Sequence, residues 1–155
     1  MALTHEDRTA VTELISMHGH LVDSGRFDRM GELFTEDAIY DVGDLGGPQL
    51  RGLAAARDAA LALGDGNPLG HHVTNIVLTE LGDGQIRALS KGIGVTTEGT
   101  CGTVTYDDTV SRTEDGWRIT HRRVLAHRAP LGADRRPDAA GAGVDLPSAG
   151  AAAAG

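Results

Sequence analysis

Val11, Leu14, Ile15, Leu21 and Val22 recur at helical spacing and share one face with His18, while Glu6, Glu13 and His20 fall on the other. Thr4 and Asp7 form a T-x-x-D capping-box-like start, and Ser24-Gly25 breaks the run. A helix is therefore predicted from this cap to about Val22. A second, short helix is predicted over 27–34, with Phe27, Met30, Leu33 and Phe34 as its apolar set. The stretch TEDAIYDVG then reads as a strand over 38–42, and GDLGGPQLRG as a loop. Residues 53–63 are Ala-rich and helical, closed by Gly64.

From residue 71 onward the pattern changes to long β-branched segments. Four of them, over 71–81, 85–97, 103–112 and 117–127, are separated by GDG, EGTCG and TEDG turns. Three helices followed by a strongly bent antiparallel meander predict an α+β layer arrangement with the helices on the concave side of the sheet. After Arg128 large apolar residues become scarce, so 1–129 is expected to be the folded domain and 130–155 a disordered Ala/Gly-rich tail.

Composition narrows the function classes. The 155 residues suffice for one domain. Aromatics make up 3% of the chain, which disfavours a base-stacking platform. The formal net charge of −8 repels phosphate backbones, and the Arg122-Arg123, Arg128 and Arg135-Arg136 groups do not make a convincing basic patch, so no nucleic-acid partner is expected. Cys101 is the single cysteine and forms no internal disulfide, which fits a reducing compartment. The opening residues are polar and carry Glu6 and Asp7, unlike a signal peptide. No apolar run approaches the roughly 20 residues of a membrane span. A cytoplasmic protein with no membrane partner is the expectation. Metal-ligand spacings such as C-x-x-C are absent from the sequence.

Several residues can carry chemistry. His18 falls on the apolar face of the first helix and points inward; its structural reading is a core histidine bonded to a carbonyl. Asp23, at the end of that helix, either forms the turn with Ser24 and Gly25 or orients a histidine. His71 and His72 are adjacent on a strand, so one faces the covered side and the other the outer side. Parity does not choose between them, because both faces of that strand are apolar. The second apolar face suggests a homodimer through the sheet. Asp108 lies on an apolar face with Val104, Tyr106 and Val110 and needs a partner; Arg87, Arg122 and Arg123 are the candidates. Tyr40 and Tyr106 either pack with a satisfied hydroxyl or offer a phenol to a ligand.

The stretch HLVDSGRFDRMGELFTEDAIYDV resembles the opening of SnoaL-like and ketosteroid-isomerase-like proteins, and GHHVTNIVL and YDDTVSRTEDGWRITHR resemble their later strands. The resemblance runs in order over about residues 5–128 and implies the cone-shaped fold of the nuclear transport factor 2-like superfamily, a bent antiparallel sheet wrapped on three N-terminal helices. It matches Asp23 to the helix-end aspartate that supports a catalytic histidine in scytalone-dehydratase-like and bile-acid-dehydratase-like members. It matches that histidine to His72 rather than His71, and places His18 where steroid isomerases and bile-acid dehydratases have a tyrosine. The departures are equally specific. The isomerase base falls at Val42, the scytalone-dehydratase tyrosines at Val22 and Val42, and a second dehydratase acid near Gly94. No Asp-Arg-Asp set of the limonene-epoxide-hydrolase type accompanies Arg87.

The resemblance thus implies a cofactor-independent dehydratase, isomerase or cyclase acting on a hydrophobic, oxygenated small molecule. His72, Asp23 and His18 would be catalytic, and Tyr40, Tyr106 and Asp108 would orient the ligand. No metal or organic cofactor is implied. The Ala/Gly/Arg-rich composition is compatible with polyketide or other natural-product tailoring. The rival is a non-catalytic binding module of the same fold, and the two differ in whether Asp23 and the histidine meet beside an open cavity.

Overall fold

The computed structural model describes residues 3–130 and 145–148. Helix α1 (His5–Asp23) opens with the capping box expected from the sequence: Thr4 Oγ1 accepts from the Asp7 amide and the Asp7 carboxylate accepts from the Thr4 amide. It stops where Gly25 adopts a positive φ of 64°. The second predicted helix is a 3-10 helix, Phe27–Glu32, and Phe34 already begins strand β1 (Phe34–Asp41). Three further segments follow: β2 (Gln49–Arg51), α2 (Leu53–Leu63) and the turn before β3 (Gly70–Gly82). Strands β4 (Gln85–Val95), β5 (Cys101–Thr113) and β6 (Gly116–Ala126) complete the meander close to the predicted limits.

The six strands make one sheet in the order β2-β1-β6-β5-β4-β3. Four of the five pairings are antiparallel, and β1 lies parallel to β6. The meander expected from the sequence is antiparallel throughout, and the parallel pairing lies outside it, where β1 joins β6. The strand β1 joins the far end of the meander from outside it, so no hairpin constrains its direction. The short β2 was hidden in the predicted loop, because its partners Ile39, Tyr40 and Asp41 define it only through the pairing.

The core forms where α1 covers the concave face of the sheet: Val11, Ile15 and Leu21 pack with Phe34, Leu78, Ile86, Val110 and Ile119. Gly19 permits the closest approach, since a Cβ there would lie 2.2 Å from the His71 carbonyl oxygen. Helix α2 contains no fully buried residue.

Strand β3 carries a bulge that decides the site. Thr74 pairs with Lys91 and Val77 with Leu89, so Asn75 and Ile76 together oppose Ser90. Asn75 takes a left-handed φ of 54° to make it. Side-chain parity inverts across the bulge. Leu78, buried in the core, and Ile76, packed against it, therefore share the concave face with Val73 and His71, not with His72.

No described helix is long and apolar enough to cross a membrane. The tail expected over 130–155 lies outside the described residues except for Pro130 and 145–148. In the latter piece the Asp145 carbonyl accepts a hydrogen bond from Arg87 Nη1 at 2.7 Å.

Candidate active site

The end of α1 meets the start of β3 through one carboxylate. Asp23 Oδ1 lies 2.6 Å from His71 Nδ1, and the His71 amide donates to both Asp23 oxygens at 3.1 and 2.9 Å. An ionised carboxylate only accepts, so the proton of neutral His71 belongs on Nδ1 and Nε2 is left as the acceptor. Gly19 makes this possible one turn earlier by letting the helix backbone rest on the strand.

The histidine paired with Asp23 is thus His71, whereas the sequence resemblance assigned it to His72. His72 lies exposed on the convex face opposite Ile93. The physical reason is the Asn75 bulge: beyond it the core residues have the parity of His72, and before it the parity of His71.

His18 is buried 6.1 Å from the His71 ring centroid in an edge arrangement, and 5.8 Å from that of Tyr106. Tyr40 stacks at 6.5 Å and Phe34 stands edge-on at 6.2 Å. The His18 Nδ1 atom is buried with no hydrogen-bond partner. Burial, then the Arg122 charge and then His71 hold the His18 imidazole well below the usual histidine range, so it is neutral. Burial pushes the Tyr106 and Tyr40 phenols up, with Arg122 opposing, so both stay protonated and can donate. The Tyr106 ring occupies space left by Gly92, where a Cβ would lie 2.4 Å from Cε2.

Asp108 does not line the cavity. It forms a two-pronged ion pair with Arg122, Nε to Oδ1 at 2.8 Å and Nη2 to Oδ2 at 2.7 Å, both side chains fully buried. Of the three arginines considered from the sequence, Arg122 is the partner, because Asp108 and Arg122 face each other across β5 and β6. It therefore does not meet the expectation of touching a ligand in the cavity, because both carboxylate oxygens are taken up by Arg122. Desolvation works against the Arg122 charge, and Asp108 outweighs it, so the guanidinium is raised and stays protonated.

The ring-bearing side chains of the site border a cavity of about 590 Å³. His18, His71, Tyr40 and Tyr106 supply ionisable or hydroxyl-bearing side chains at one end. Much of the wall is apolar, with Val22, Phe27, Met30, Leu53, Val104 and Val124 among its members. The inner side of α2 forms another wall through Ala56, Ala60 and Leu63. Asn67 ties down the end of that helix by donating to the Ala60 and Gly64 carbonyls at 2.7 and 2.9 Å. Among the described residues, no group of three or more His, Cys, Asp or Glu side chains could hold a metal ion.

The structure therefore brings together His18, Asp23, Tyr40 and Tyr106, leaves His72 outside, and sets Asp108 behind the wall. It adds His71 and Arg122 to the site. The signal for His71 was present in Asn75, a residue suited to a left-handed bulge, and the signal for Arg122 was the need of Asp108 for a cation.

The family model of the SnoaL-like domain matches residues 4–123. No curated protein matches the sequence. Among solved structures, a Novosphingobium aromaticivorans protein provisionally named an aromatic ring hydroxylase is 29% identical, with 81% of this chain and 92% of that one covered at a TM-score of 0.66. An NTF2-like protein with a cystatin-like fold from the same species is 28% identical, with 83% and 87% covered at a TM-score of 0.67. A third protein from that species, provisionally named a scytalone dehydratase, is 18% identical, covers 78% and 84% at a TM-score of 0.62, and shares the fold. With its cone of helices and sheet and a family match spanning most of its length, the chain belongs to the SnoaL-like domain family of the nuclear transport factor 2-like superfamily.

Proposed function

We propose that this protein is a small enzyme that dehydrates, isomerises or cyclises a hydrophobic, oxygenated molecule, with His71, steadied by Asp23, as the group that moves the proton. The fold includes dehydratases and isomerases among its members. The observation that carries the reading is the 2.6 Å contact between Asp23 and His71 at the polar end of a 590 Å³ cavity.

The chemistry follows from the tautomer. Nε2 of His71 takes a proton from the substrate, and Asp23 stabilises the imidazolium that forms. The same nitrogen returns the proton to a leaving hydroxyl or to a neighbouring carbon. Neutral His18 and the phenols of Tyr40 and Tyr106 hydrogen-bond the substrate oxygen without competing for the proton. The apolar wall excludes water, which strengthens these contacts. Asp23 also accepts the His71 backbone amide, as a purely binding version of the fold would have it. The two readings part on turnover.

The test is a screen of hydroxylated polycyclic and polyketide-like compounds, read by mass spectrometry for loss of water or rearrangement. His71→Ala should lower turnover about 10²–10⁴-fold while ligand binding persists, and His72→Ala should leave it intact. Undiminished turnover in His71→Ala would remove the assignment.

A further inference from the structure

The strongest feature outside the Asp23–His71 pair is the buried charge behind the tyrosines. Arg122 faces Tyr40 directly across β1 and β6, and Asp108 directly across β5 and β6. Its guanidinium carbon lies 4.3 Å from the Tyr106 ring centroid, 5.3 Å from that of Phe34 and 5.9 Å from that of Tyr40. At the first of these distances a cation is held by the face of the ring. Two of its nitrogens are committed to Asp108, while Nη1 is buried with no hydrogen-bond partner. A buried ion pair of this kind is a poor source of stability, because the desolvation of both partners offsets their attraction. Its value has to be sought in what it fixes.

Three rings of the site depend on where Arg122 stands. Two are the tyrosines on either side of it, and the third is His18, packed on both tyrosines. The titratable and charged groups facing His18 are Tyr40 from β1, His71 from β3, Tyr106 and Asp108 from β5 and Arg122 from β6. Its own helix adds Asp23, which is engaged by His71. Arg122 is the only permanent cation in that set.

We propose that the Asp108–Arg122 pair is a positioning device. Arg122, clamped by Asp108, seats the Tyr106 and Tyr40 rings and sets a fixed positive charge behind the rings on which His18 packs, leaving His71, held by Asp23, as the group of the site that moves a proton. The role given to His71 rests on the proposed acid–base chemistry; the seating of the rings and the charge near His18 do not. The device gives two histidines only 6.1 Å apart different settings, one packed on the two tyrosines and the other held by Asp23. Asp108 keeps the guanidinium in place without approaching the cavity itself.

The experiment is NMR of the histidine rings in the parent protein and three variants. Arg122→Met/Asp108→Leu removes the charges with apolar replacements, and Arg122→Gln/Asp108→Asn removes them while keeping a hydrogen-bonded pair. Arg122→Lys keeps the cation. Spectra are taken down to the lowest pH at which the amide pattern stays folded. In either neutralised double variant that folds, the midpoint of His18 should rise, so that its protonated-to-neutral ratio at fixed pH increases, while burial still holds it below the usual histidine range. Arg122→Lys should match the parent. The proposal fails if a folded neutralised variant leaves His18 unchanged, or if Arg122→Lys shifts His18 as far as the neutralised variants do. These readings need no turnover, so an inactive protein with a neutral His18 would sink the proposed function alone.

Discussion

His18 has a consequence for stability as well as for the site. In an unfolded chain its imidazole titrates near pH ~6.5, while in the fold burial and Arg122 hold it well below that value. The unfolded state therefore binds a proton that the folded state refuses, and stability falls as pH drops below the unfolded midpoint. The penalty grows until the folded histidine itself protonates. His18→Gln removes this term and leaves the others in place. The stability of the variant relative to the parent should therefore improve by about 1–2 kcal/mol between pH 7 and pH 5, read as the difference in urea midpoints across that range. An unchanged difference would mean that His18 is charged in the fold. The sequence already placed His18 inward, because its neighbours at helical spacing are apolar. It could not reveal the neutral state, which depends first on full burial under the sheet and then on Arg122 and His71 arriving from strands more than fifty residues away.

At the scale of the elements, β3 shows what a strand pattern conceals. The start of β4 at Gln85, the ends of β3 and the cap of α1 follow from local chemistry, and the sequence announces them. The choice between His71 and His72 does not, because it depends on a residue inserted between them and the core. An uninterrupted strand would carry the concave parity of Ile76 and Leu78 back to His72; the extra residue at Asn75 carries it to His71. The 3-10 helix over Phe27–Glu32 and the three-residue β2 were equally obscure, since short segments are defined by the partners they meet. The bulge gives a direct prediction. Asn75→Gly should preserve stability, because glycine enters the left-handed region without strain. Asn75→Val should cost about 1–2 kcal/mol, because a β-branched side chain resists that region. Urea unfolding of the two variants measures the difference. Equal midpoints would show that the bulge is not held by the conformation of Asn75.

Among the described residues, the exposed apolar side chains include two groups with different surroundings, and the cavity accounts for one of them. Leu45 and Leu63 are 50% and 59% exposed, yet both line the cavity, where a hydrophobic ligand would cover them. Val77 and Ile93 are 47% and 37% exposed on the convex face of the sheet and have no part in the cavity. A second copy of the chain would offer a matching sheet against which these side chains could be buried. Sedimentation across a range of concentrations should therefore find a dimer. Ile93→Asp, a change at an exposed position that leaves the single chain stable to within about 0.5 kcal/mol, should dissociate it by placing a charge in the contact. Leu63→Asp, at the mouth of the cavity, should leave the dimer intact and weaken ligand binding instead. A parent protein that is monomeric throughout, or a dimer broken by Leu63→Asp and not by Ile93→Asp, would move the contact away from the sheet. The two variants test the two apolar surfaces separately, the concave side for a ligand and the convex side for a second copy.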